Sequence, residues 1–171
     1  MKNIKVIALD KTMITNLVKA LILIGLLTLA PMFHKQMITG TIVNAILFVS
    51  VYLFGVQNAV LIGLIPSVIA LSVGLLPPVM APMVPFIMLS NAILIIIFNY
   101  LKDKNYWLGV ISASILKFLF LFATGSIVVN LLFKKEIATK VASMMSWPQL
   151  VTALIGGIIA YFFLRSLKQV K

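Results

Sequence analysis

The sequence predicts an all-α polytopic membrane protein, a single bundle of about six transmembrane helices. Composition and charge placement both point there. The 171 residues are 63% hydrophobic and only 10% charged, whereas soluble domains carry roughly a quarter charged residues. The charges are also segregated, with no Asp, Glu, Lys or Arg between Lys35 and Lys102. One span needs roughly 20 apolar residues, so that stretch crosses a bilayer more than once. No polar linker is long enough to divide the chain into two units.

The expected spans run over about 13–33, 38–54, 57–76, 86–101, 106–133 and 147–167. Pro31 and the polar His34-Lys35-Gln36 close the first. Gly55-Val56-Gln57-Asn58 reads as a tight turn between the second and third, and Pro66 predicts a kink inside the third. The stretch from Gly74 through Pro77, Pro78, Pro82 and Pro85 is too rich in proline for regular helix. It is also too apolar for an aqueous loop. It reads as a loop packed down on the protein at membrane depth, where irregular backbone is tolerated only if buried or lining a cavity. Lys102-Asp103-Lys104 ends the fourth span, and the interfacial pair Tyr106-Trp107 opens the fifth. The polar segment from Lys134-Lys135-Glu136 to Met145 predicts a loop with a short amphipathic turn. Ser146-Trp147-Pro148-Gln149 has the form of a helix start, a Ser cap with Pro in the first turn and Gln three residues on.

Lysine and arginine cluster at the N-terminus, at Lys102 and Lys104, and at Arg165, Lys168 and Lys171. The opposite loops hold Lys35, Lys134, Lys135 and Lys140. Positive-inside bias therefore puts both termini in the cytoplasm of a multi-pass cell-membrane protein. A basic start followed by the apolar run 20–30 has the outline of a signal peptide, but Pro31 after Ala30 makes a poor cleavage site, so the segment is expected to stay as a span. The net charge of +11 reads as anchoring to anionic lipid, because the basic residues sit at span ends and form no aromatic-interleaved stripe for nucleic acid.

With no cysteine and one histidine, thiolate chemistry and multi-His metal sites are excluded within the chain, and no metal or cofactor is expected. There is no phosphate-cradling Gly-rich loop and no acidic cluster, so an enzyme is not expected. What the spans do hold is a set of polar residues toward the predicted outer face: Asn44, Asn91, Thr124, Asn130, Gln149 and Thr152 among them. Each amide in hydrocarbon must find a partner, and tying two helices together would suffice for any one. Their convergence under a proline-rich cover points to a ligand pocket.

Lys117 stands out further. It lies eleven residues beyond Tyr106, about 16 Å along the helix axis, near the middle of the membrane. A lysine there costs about 2.5–3.5 kcal/mol on insertion scales. Ser114 and Thr124 share its face, so the stripe is expected to point inward. A backbone carbonyl freed at a proline break, a side-chain amide or a ligand could each partner it. His34 is a weaker candidate, weighed against an ordinary solvated loop histidine. Ala153/Gly157 and Gly156/Ala160 form two small-xxx-small pairs, suited to packing inside the bundle or against another subunit.

The run Ile38-Thr39-Gly40-Thr41-Ile42-Val43-Asn44-Ala45, the segment Gly74-Leu75-Leu76-Pro77-Pro78 with Ala81-Pro82 and Pro85-Phe86 before Asn91, and the opening Trp147-Pro148-Gln149-Leu150-Val151-Thr152-Ala153 of a Gly-rich last helix resemble the substrate-binding S components of energy-coupling factor (ECF) transporters. The resemblance spans 13–167. It implies a six-helix protein that binds a vitamin or related micronutrient near the outer face and delivers it with a coupling subunit and two ABC ATPases. Family members often carry an Ala-x-x-x-Ala pair in the first helix for docking, which this chain lacks. A cation and amides without a carboxylate favour a neutral or anionic small-molecule substrate. The rival expectations are a structural or assembly subunit of a membrane complex and a stand-alone small transporter.

Overall fold

The computed structural model describes residues 11–132 and 135–170, without the side chains of 11–13, 16, 129–132, 135–138 and 140. The described residues form helices and turns with no strand. The helices are α1 (Lys11–Leu29), α2 (Gln36–Ser72), α3 (Val84–Leu101), α4 (Tyr106–Leu132), α5 (Lys135–Met144) and α6 (Trp147–Ser166). Short 3-10 turns at Ala30–Phe33 and Pro78–Met83 precede α2 and α3.

The 37 residues of α2 would make a straight helix of about 55 Å, nearly twice the ~30 Å hydrocarbon core. The helix does not run straight. Gly55 takes φ 76 and ψ 171, a region of backbone space open essentially to glycine alone. There the chain reverses, and a Cβ built on Gly63 in the second limb would sit 3.5 Å from the Leu47 side chain in the first. The turn is made at Gly55 alone, since Gln57 and Asn58 are already helical. The Asn58 amide donates back to the Phe54 carbonyl at 3.0 Å. Pro66 lies in the second limb without departing from helical dihedrals; the reversal falls within the turn expected over 55–58, at Gly55.

Four helices among the described residues are long and apolar enough to cross a membrane: Gln36–Ser72, Pro78–Leu101, Tyr106–Val128 and Val141–Ser166. Leu17–Phe33 is a shorter apolar helix. Taking the two limbs of α2 separately, this is an all-α membrane bundle of about six spans. Large apolar side chains such as Leu21, Ile96, Phe122 and Phe162 stand exposed on α1, α3, α4 and α6, as expected of a surface solvated by lipid tails.

At the centre, α2 packs against α3 and α6, and α4 packs against α3 and α6 in turn. The small residues of α6 decide how close the helices come. A Cβ on Gly156 would lie 2.8 Å from the Ala45 backbone nitrogen. Ala153, Gly156, Gly157 and Ala160 are all buried. Both small-xxx-small pairs are therefore used inside the bundle, between α6 and its neighbours α2 and α4.

The second limb of α2 ends at Ser72, earlier than the hydropathy suggested. Gly74 turns the chain with φ +77, and the Leu76 N–H reaches back to the Ala70 carbonyl at 2.9 Å. The prolines then give a 3-10 turn and enter the first turn of α3, where a missing N–H costs nothing. Leu76, Met80 and Met83 bury themselves with Leu121, Val128, Val141 and Met145, so the proline-rich segment does pack down on the protein. The segment 135–144 differs from expectation: it is a ten-residue helix, α5. Val141 and Met145, one turn apart, are buried while Ala142 and Ser143 face outward. Tertiary packing of that one face holds a helix that composition alone would not.

Candidate functional site

The N-terminal turns of α2 and α6, the second limb of α2 and the C-terminus of α5 meet at one end of the bundle. They enclose a cavity of about 100 Å³. Its wall is largely apolar: Val43, Pro66, Ala70, Leu75, Leu76, Ile87, Met144 and Met145 line it. Its polar groups are Gln36, Thr39, Asn44, Ser67, Asn91, Lys117 and Gln149.

The base is a three-helix polar cluster. Lys117 on α4 is 3% exposed. Its Nζ donates to Asn44 Oδ1 on α2 at 2.6 Å and to Asn91 Oδ1 on α3 at 2.7 Å. An ammonium has donors only, so each asparagine must turn its oxygen toward it and its NH₂ group away. The Asn44 Nδ2 then donates to Thr152 Oγ1 on α6 at 3.3 Å, and Asn91 Nδ2 to the Gly63 carbonyl at 2.8 Å. The Thr152 hydroxyl in turn donates to the Gln149 carbonyl at 3.2 Å. Of the partners the sequence allows for Lys117, side-chain amides are the ones present. The two oxygen contacts are at the short end for a hydrogen bond with an ionised donor.

The mouth is held by a second polar arrangement. Gln36 Nε2 and Gln149 Nε2 both donate to the Met144 carbonyl, at 2.7 and 3.0 Å. A free carbonyl at the end of α5 thus takes two amides, one from each helix start beside it. Gln149 is not spent on the cap predicted for it: Ser146 makes no side-chain cap hydrogen bond and donates to the Ser143 carbonyl instead. Thr39, also buried, fastens the 3-10 turn before α2 by donating to the Ala30 carbonyl at 2.8 Å.

Of the residues singled out from sequence, Lys117, Asn44, Asn91 and Gln149 come together around this cavity. Thr124 does not. It stands two turns beyond Lys117 and folds its hydroxyl onto the Phe120 carbonyl of its own helix at 2.7 Å. His34 is exposed in the turn before α2, with φ 51, and is not part of the wall. The Asn130 side chain lies outside the described residues. Ser114, on the same face as Lys117, is fully buried, and its Oγ is the one buried side-chain polar atom without a partner among the described residues. Gln36, Thr39 and Ser67 were not foreseen. The signal for Gln36 was present in its place as the polar first residue of an apolar helix.

Among the described residues no group of three or more His, Cys, Asp or Glu could hold a metal. The arrangement offers a positively charged, amide-ringed floor beneath apolar walls, chemistry suited to holding a small solute. No family model, curated protein or solved structure matches this chain.

Proposed function

We propose that this protein is the solute-capture subunit of a membrane uptake system, of the kind the ECF S components represent. One observation carries the reading: a cavity in a membrane bundle whose floor is a buried lysine held by asparagines from two other helices. An ionisable group at that depth is costly and marks a functional site by default. Apolar walls with a few convergent polar groups are the usual form of a small-molecule site. Lysine asymmetry supports a membrane orientation with the cavity mouth outside and the Lys102 and Arg165 end in the cytoplasm.

Capture without transport follows from what the chain lacks. ATP coupling needs a phosphate-cradling loop, which the sequence does not contain, and ion coupling commonly uses acidic or His relays inside spans, of which the expected spans contain none. Energy would come from a coupling subunit and two ATPases. Purified protein in liposomes should retain a cognate solute without concentrating it, and uptake should begin only when those partners are added. Proton- or sodium-driven accumulation by the protein alone would favour a stand-alone transporter and defeat the proposal. The chain has no native cysteine, so orientation can be read from cysteines placed at Lys35 and Lys104. An impermeant reagent in intact cells should label the first and spare the second.

A scaffold subunit is the second reading, favoured by one feature: Lys117 already has two protein partners, and the cluster ties α2, α3 and α4 together. A scaffold would retain no solute.

A further inference from the structure

Resting on the solute-capture reading, we infer that the solute is a compact monocarboxylate, bound with its carboxylate on the Lys117 ammonium and its apolar body against Leu75, Leu76 and Ile87. Three features of the cavity lead to this class.

The first is an unbalanced charge. Lys117 is the only charged residue among the described residues that line the cavity. The chain has three acidic residues. Asp103 pairs with Lys102 at 2.7 Å at the far end of the bundle. The Glu136 side chain and Asp10 lie outside the described residues. Two amide oxygens solvate the ammonium but do not neutralise it. A bound anion would supply the missing charge in a medium where an unpaired ion is expensive.

The second is donor geometry. An ammonium has three N–H donors, and Asn44 and Asn91 take two. Both asparagine NH₂ groups turn away from the ammonium and spend one of their two N–H donors each, on Thr152 and on the Gly63 carbonyl. The third N–H of Lys117 is the charged donor left at the floor, and an anionic oxygen is its strongest acceptor. A cationic solute would meet a like charge there. A dianion would bring a second charge with no second cation among the described lining residues.

The third is size and polarity. The cavity, about 100 Å³, falls below the ~300–1,000 Å³ of sites for drug-sized ligands. Above the floor its wall is largely aliphatic and thioether, with Gln36, Thr39, Ser67 and Gln149 as the polar exceptions. A short hydrocarbon body with one charged end matches both.

The test is thermal unfolding of the purified full chain at constant ionic strength, with four probes of similar size: butanoate, butanamide, butylammonium and succinate. Butanoate should raise the melting temperature saturably, and the other three should be at least tenfold weaker. Lys117→Met should abolish the butanoate response. Removal of a buried lysine could also perturb the fold, so Asn44→Asp provides a second variant. It places a carboxylate beside Lys117, requires the Thr152 hydroxyl to turn its one proton from the Gln149 carbonyl to the new oxygen, and should raise the melting temperature while weakening butanoate at least tenfold. Butanamide or butylammonium acting as strongly as butanoate, or Asn44→Asp leaving the butanoate response intact, overturns the anion assignment while capture of some other solute stands. Absence of any saturable response overturns the assignment too, and the liposome retention experiment then decides separately whether the protein captures a solute at all.

Discussion

At the end of the bundle near Gly55 and Lys102, the helices are sealed by rings. Phe48 and Phe98 meet edge to face with centroids 4.7 Å apart, and Tyr106 stands 5.5 Å from Phe98 and 5.3 Å from Tyr161. The Tyr106 hydroxyl donates to the Gly157 carbonyl at 2.7 Å, and Lys102 sits over the Tyr52 ring at 5.0 Å. At the opposite end the described residues of the wall include no such rings, and the helices part around a cavity floored by Lys117, Asn44 and Asn91. One end is held by dense packing with its few polar groups satisfied; the other holds a charge that its own residues solvate but do not neutralise. The contrast teaches where stability and function separate. On the proposed capture reading, a solute entering over Lys117 would face a closed aromatic layer below it and would be held until a partner moved the helices.

That contrast can be broken from either side. The largest effect on stability is expected from Phe98→Ala, which removes the ring shared by Phe48, Tyr52 and Tyr106. The loss should be about 3 kcal/mol, at the low end for a buried aromatic because lipid as well as protein surrounds the bundle. Solute retention by the molecules that remain folded should be nearly unchanged. Chemical denaturation in mild detergent, with binding measured on the folded fraction, checks both halves.

Asn91→Ala attacks the other end. It strips Lys117 of one partner and unties α3 from the Gly63 carbonyl. A stability loss of about 2 kcal/mol is expected for hydrogen bonds to a charged group, and here solute retention should fall as well. A variant that melts early yet binds normally would place the site elsewhere.

Tyr106→Phe is the mildest. It deletes one hydroxyl and leaves the Gly157 carbonyl short of a donor, costing about 1 kcal/mol with binding intact. Loss of binding here would mean that the two ends are coupled more tightly than their separate packing implies.

How much of this was legible in the sequence follows the same division. The membrane class, the reversal near Gly55 and the cost of Lys117 are local: they depend on apolar run length, on a glycine, and on one charge at a countable depth. Asn44 and Asn91 could be named because an amide in a span must find a partner, but not that they share the same one. That pairing depends on α2 and α3 meeting α4 at matching heights, which no single segment encodes. Gln36 and Thr39 were missed for a related reason, since their partners are the backbone carbonyls of Met144 and Ala30, and carbonyls leave no mark in a sequence. The helix at 135–144 was read as a loop because its charged start masks a short apolar stripe that gains meaning only against Leu121 and Val128. The α6 glycines carried the right motif, and only packing could say that it faces inward.

The central claim is that the Lys117 floor holds a solute. Its most direct test is native mass spectrometry of the protein released gently from the membrane in which it was made, beside Lys117→Met prepared in the same way. The parent should carry one bound small molecule that the variant lacks, at comparable folded yield. A parent free of any bound solute, or a variant that carries the same one to the same extent, would contradict the account.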